Sequence, residues 1–177
     1  MKNTFKKLTL AVLASLVVSS GLFAATVTAT VTTTLSVAVA NEAAITVTTG
    51  TTNLTTAQTN FSAAYTGTTN INYSVRTSKT GGSGSITVQI TTDFSPVGGP
   101  TTALGPLSYT CTGTGTGVTP CASSTNASTS AATNVLTFAT DTHGSGSSAS
   151  TAWSLPDLPN YQTGTYTATA TFTISST

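Results

Sequence analysis

The sequence predicts an all-β fold: a single antiparallel immunoglobulin-like (Greek-key) β-sandwich preceded by an extended N-terminal donor strand. Three observations predict it. Beyond residue 24 no stretch shows helical spacing of its apolar residues, whereas several alternate with the period of two that a half-buried strand imposes. Clusters of Gly, Pro, Asn and Ser separate these stretches and supply the turns of a small sandwich. Residues 25–39, ATVTATVTTTLSVAV, alternate for longer than a domain strand needs. At roughly 3.3 Å per residue they extend about 50 Å, against about five or six residues for an ordinary strand.

Residues 1–24 read as a secretory signal, with Lys2, Lys6 and Lys7 ahead of an apolar run from Leu8 and small residues near Ala24. The run is shorter than the roughly 20 apolar residues of a membrane span, and no later segment approaches that length. The expected division is therefore signal peptide 1–24, donor strand 25–34 and sandwich 35–177. Within residues 25–39, Ala25, Val27, Ala29, Val31, Leu35, Val37 and Val39 share one face, broken only at Thr33. That break suggests two jobs: residues 25–32 lie in a neighbouring subunit, and 35–39 belong to the chain's own sheet.

The elements follow in order. ANEA (40–43) reads as a turn, and AITVTTG (44–50) as a strand with Ile45 and Val47 inward. Residues 61–65 form a short edge strand. NINYSVRT (70–77), the Gly-rich run KTGGSGS and SITVQITTDF (85–94) make a hairpin with Ile71, Tyr73, Val75, Ile86, Val88 and Ile90 on its apolar faces. SPVGGPTTALGP (95–106) is an irregular connection. Strands are expected at 107–112, 134–140 and 151–155, the last carrying the only Trp, with 142–150 as a flexible loop. GTYTATATFTIS (164–175) closes the sandwich with Tyr166, Ala168, Ala170, Phe172 and Ile174 inward and threonines outward.

Composition excludes several functions. Without the signal, Arg76 and Lys79 stand against Glu42, Asp93, Asp141 and Asp157, a net charge of −2. Two cations cannot make the basic stripe that nucleic acid requires. Cys111 and Cys121, close together in an exported chain, are expected to form a disulfide. They and one His cannot supply the roughly four ligands of structural zinc, and the scattered acids lack the dense spacing of a calcium loop. Asp141, His143, Ser145 and Ser147 are the residue types of a hydrolase triad, but a Gly/Ser loop is a poor frame and no G-x-S-x-G elbow occurs. TGTGTG (112–117) has neither the spacing nor the following helix of a phosphate cradle. No catalytic, cofactor or metal residues are expected, and no enzymatic activity. Four N-x-S/T sequences, at Asn53, Asn60, Asn72 and Asn126, are the number chance places in so Thr/Ser-rich a chain.

A free alternating strand must find an edge, because unpaired backbone donors and acceptors template addition. A subunit that donates one strand and accepts another makes a contact that does not close, which generates a filament. The signal segment, the alternating N-terminal stretch, the single small β-domain, the close cysteine pair and the closing strand with GTY (164–166) together resemble bacterial pilins that polymerise by donor-strand exchange. The nearest likeness is to the archaic chaperone–usher and spore-coat-U-like group. The resemblance implies a homopolymer of identical subunits assembled head to tail at the cell surface, with a periplasmic chaperone and an outer-membrane usher as partners. It implies that Val27, Ala29, Val31 and Leu35 enter the acceptor groove, with Ala29 as the small one. The late, close cysteines and the extreme Thr content depart from that group. The alternative is a monomeric secreted binding module or adhesin domain whose Thr-rich faces or Gly-rich loops contact a carbohydrate or host protein.

Overall fold

A computed structural model of the chain describes residues 30–56 and 60–177. The signal segment and the positions Val27 and Ala29 lie outside the described residues. The chain divides into two units, Met1–Val37 and Ala38–Thr177. In the first, residues 30–37 form no strand, and Val31, Leu35 and Val37 are 94%, 91% and 84% exposed.

The second unit contains strands and connections and no helix among the described residues. Its strands are β1 (Glu42–Val47), β2 (Tyr65–Arg76), β3 (Gly84–Ser95), β4 (Ser108–Gly113), β5 (Val118–Pro120), β6 (Thr125–Asn126), β7 (Thr133–Phe138), β8 (His143–Leu155) and β9 (Thr167–Ser176). They form two antiparallel sheets, ordered β1-β2-β8-β4-β6 and β5-β7-β3-β9. Alternate side chains of each sheet meet between them. Ile71, Tyr73 and Val75 of β2 and Trp153 of β8 pack in one core with Ile86, Val88 and Ile90 of β3 and Phe138 of β7. The Tyr73 and Phe138 rings, one from each sheet, lie 5.5 Å apart.

The expected all-β class and two-sheet layering are present, while several expected elements differ. The first strand begins at Glu42, inside the expected turn, and residues 35–39 are in no strand. The reason is the length of the partner: β2 ends at Arg76, which pairs with Glu42, so earlier residues have no ladder to join. The Arg76 side chain marks that end, donating through Nε to the Ala40 carbonyl (2.6 Å) and pairing with Glu42 (3.0 Å). No edge strand forms at 61–64. Asn60 and Phe61 have positive φ, which ends one segment before β2 starts at Tyr65.

The expected hairpin of residues 70–94 does not form. β2 and β3 lie in different sheets, because β1 and β8 occupy both edges of β2 while β7 and β9 occupy both edges of β3. The Gly-rich link between them crosses from one sheet to the other and is tied on both sides: Thr77 donates to the Thr142 carbonyl (2.9 Å) and Ser78 to that of Thr177 (3.0 Å). The expected flexible loop 142–150 and short strand 151–155 are one thirteen-residue strand, β8, in the middle of its sheet. Gly has low β propensity, but β2 pairs with this strand from His143 to Leu155 and β4 pairs with it over Ala149–Ser154, so the β2 ladder carries the Gly/Ser run.

Cys111 of β4 and Cys121, just beyond β5, are disulfide-bonded (S–S 1.98 Å), as expected. The bond links the two sheets at one side, since β4 and β5 belong to different sheets. At this loop length the chain-entropy account assigns it about 2–3 kcal/mol. Replacing both cysteines with Ala is expected to lower stability by about that amount in denaturant titration. Opposite Cys111 in the ladder is Thr151, fully buried, with a hydroxyl that lacks a partner among the described residues. An orphaned buried hydroxyl costs about 1–3 kcal/mol, so Thr151→Val, of the same shape, is expected to raise the melting temperature. A fall would show that the hydroxyl has a partner.

Candidate functional site

The inward residues of neighbouring strands in one sheet are buried very differently. On β3, Ile86, Val88 and Ile90 are at most 2% exposed. On β9, which pairs with β3 along Ile86↔Ile174, Val88↔Phe172 and Ile90↔Ala170, the same face is half open: Ala168, Phe172 and Ile174 are half-buried and Ala170 is exposed. Uncovered beside β9 runs a cleft of about 1300 Å³. Small-molecule pockets commonly run about 300–1,000 Å³, so this one is large and elongated.

One wall of the cleft is β9. The other is the irregular segment 48–55, which takes up the outer edge of β2: Thr48 donates to the Asn70 carbonyl (2.9 Å), and Thr55 and Thr66 exchange bonds of 2.9 and 2.8 Å. This segment lies so close that a Cβ at Gly67 would stand 2.6 Å from the Asn53 carbonyl oxygen, so glycine is required there. The floor is apolar and includes Ile90, Phe94, Leu107, Trp153 and Leu155. Trp153 is fixed in it. Its Nε1 donates to the Thr69 hydroxyl (2.8 Å), which is 2.6 Å from that of Thr52. Its ring meets Tyr109 edge-on at 5.2 Å and Phe172 at 6.5 Å.

The backbone of β9 is open on the same side. Thr177 donates to the Ser83 carbonyl, so by the alternation of an antiparallel ladder the odd-numbered residues 171–177 point their N–H and C=O at β3. The even-numbered Ala170, Phe172, Ile174 and Ser176 therefore point theirs away from it. The Ser176 carbonyl accepts from Asn41 Nδ2 (3.1 Å), and among the described residues no strand pairs with this edge.

At the Leu155 end, the mouth of the cleft carries a polar group of Tyr65, Asp157 and Tyr161. Burial first, and then the charge of the Asp157 carboxylate, raise the pKa of the Tyr65 phenol. Tyr161 has a buried hydroxyl with no partner among the described residues, set where Gly105 has no Cβ. Sequence reading missed this group. Its members are scattered through a strand start and a turn, and only the fold converges them.

Among the residues singled out from sequence, Val31 and Leu35 lie in the exposed unpaired stretch, and Cys111 and Cys121 are bonded to each other and do not line the cleft. Asp141 and His143 are exposed. The His143 ring bonds the Asp141 backbone carbonyl (2.7 Å), and no serine hydroxyl is hydrogen-bonded to it among the described residues. Of the glycines of 112–117, Gly113 ends β4, and Gly115 and Gly117 form the turn to β5 with positive φ. No cluster of three metal-ligating side chains occurs among the described residues. Comparison with known proteins finds no matching family, no matching curated protein and no matching solved structure.

Burial pushes the phenols of Tyr65, Tyr73, Tyr109 and Tyr161 above the usual value of about 10, and the Asp157 carboxylate adds to this at Tyr65 and Tyr161. The folded chain then keeps protons that the unfolded chain releases. Stability from these groups is fully present below about pH 10 and is lost as pH rises through the folded-state values. Denaturant midpoints are expected to hold steady to about pH 10 and fall above it, with less fall in Tyr161→Phe.

Proposed function

We propose that this chain is a structural subunit of an extracellular bacterial filament, in which the N-terminal strand of one copy fills the cleft beside β9 of the next. The observation that carries this reading is the half-open inner face and unpaired edge of β9, next to a β3 whose inward Ile86, Val88 and Ile90 are buried. A strand laid against that edge would pair with the backbone of Ala170, Phe172 and Ile174 and cover their side chains at once. Main-chain bonds supply affinity in such strand addition, and alternate side chains supply specificity. The chain carries a segment of the required chemistry, with Val27, Ala29 and Val31 on one face.

The positions of the two features favour an open chain of subunits. Ala40 and Asn41 are tied at the Arg76 end of the body, beside Ser176, whereas the cleft opens at the Tyr65–Leu155 end. The twelve residues of β2 put those ends about 36 Å apart. A donated strand running antiparallel to β9 comes in at the Leu155 end and joins unlike ends, so the contact repeats without closing. A strand running parallel to β9 comes in at the Arg76 end and joins like ends, which closes as a pair. The filament reading therefore requires the antiparallel direction. Export, the surface location and any chaperone or usher follow from the same reading and stand or fall with it.

Electron microscopy of material sheared from producing cells tests it, with periodic fibres containing this chain as the expected result. Uniform monomers would sink the reading and favour a secreted binding module. Deleting residues 25–33 is expected to abolish fibres while the body still binds a peptide of that sequence. Ala170→Lys places a charge in the cleft at an already exposed position. It is expected to shift stability by no more than about 0.5 kcal/mol, the usual range for a surface substitution, yet to stop fibre growth.

A further inference from the structure

We propose that Asp157 at the mouth of the cleft receives the hydroxyl of Thr33 from the incoming strand and thereby sets the register of donation. The inference rests on the strand-donation reading above and adds to it the contact that selects one alignment among several. Among the described residues that line the cleft, Asp157 is the only ionisable acid or base other than tyrosine, the rest being apolar, hydroxyl-bearing or amide residues. It sits two residues beyond Leu155, whose ladder partner is Tyr65. Two tyrosines converge on it, and one of them, Tyr161, has a buried hydroxyl still without a partner among the described residues.

A strand with a wholly apolar inner row would close over this group and leave it short of hydrogen bonds. Burying polar groups in that state costs free energy, and a charge costs more. The inner row of residues 25–39 has one polar member, Thr33. Running antiparallel to β9 with Thr33 at the mouth beside Tyr166, the strand brings Val31, Ala29 and Val27 to Ala168, Ala170 and Phe172 in turn. The smallest of the three, Ala29, then lies at Ala170, Val27 lies at Phe172, whose ring meets Trp153, and Leu35 stays outside the mouth. A slip of one residue would turn threonines onto the apolar floor. A slip of two would set Val31 or Leu35 on the carboxylate. A break in the apolar pattern thus matches a break in the apolar groove.

The test uses full-length chains in mixed populations, one carrying Thr33→Cys and the other Asp157→Cys, followed by oxidation and non-reducing electrophoresis. Interchain dimers are expected at least about 10-fold more abundant than with Val31→Cys or Leu35→Cys as the donor. In fibre-growth assays Thr33→Val is expected to slow growth about 10-fold, Thr33→Ser to stay within about twofold of the unmodified chain, and Asp157→Leu to remove the Thr33→Val defect. Fibres that crosslink Asp157→Cys preferentially to position 31 or 35 would overturn the register while leaving strand donation standing. So would a Thr33→Val chain that polymerises normally. A chain carrying both cysteines that links only to itself at high dilution would overturn the second copy as occupant. Failure of the unmodified chain to form any fibre would overturn strand donation itself, and this contact with it.

Discussion

A strand inside a sheet must satisfy the hydrogen bonds of two edges and cover the apolar side chains of one face, and β9 does each of these by half. Its pairing with β3 completes one edge. Among the described residues no strand pairs with its other edge, and its inner side chains stand over an apolar cleft. The arrangement of the body follows from that constraint. β2 and β8 can be buried because they lie inside their sheet, and β3 because β9 and β7 flank it, while the unmet requirement is carried outward to the last strand.

The cleft stays open because its floor is anchored. A tryptophan free to turn would fill such a gap from within. Trp153 is held instead by its indole hydrogen bond to Thr69, by the link from Thr69 to Thr52 on the opposite wall, and by the ring of Tyr109 behind it. The hydroxyl chain ties the irregular segment 48–55 to the floor, and Gly67 lets that segment approach β2 closely. A groove built this way is pre-formed, which reduces the ordering that an incoming strand must impose.

The four sheet edges are treated differently. β5 and β6 are three and two residues long, too short to template addition, and β5 ends in a proline. β1 has six residues, begins with a charged pair to Arg76 and is continued along β2 by an irregular segment. β9 has ten residues, no charge and no proline. Natural sheets usually blunt such an edge with a lysine, a bulge or a covering loop. β9 carries neither lysine nor proline, as the proposed strand donation requires, and the small charge of the chain offers little repulsion against such an approach.

Period-two alternation was enough to read the all-β class and the inward rows of β2, β3 and β9, and the short spacing of the two cysteines was enough to read their pairing, because each depends on local spacing or on the only partner available. The same local view misplaced residues 70–94 as a hairpin and split β8 into a loop and a strand. Pairing is decided by which edges are free, and the Gly/Ser run 143–148 becomes a strand because β2 offers it a ladder. Residues 25–39 announced an alternating segment without announcing where such a segment would fit. The uncovered face of β9, the anchored floor and the convergence of Tyr65, Asp157 and Tyr161 exist only once distant residues are brought together. Spacing along a chain therefore determined which face each strand turns inward, and tertiary packing alone decided which of those faces was left without a cover.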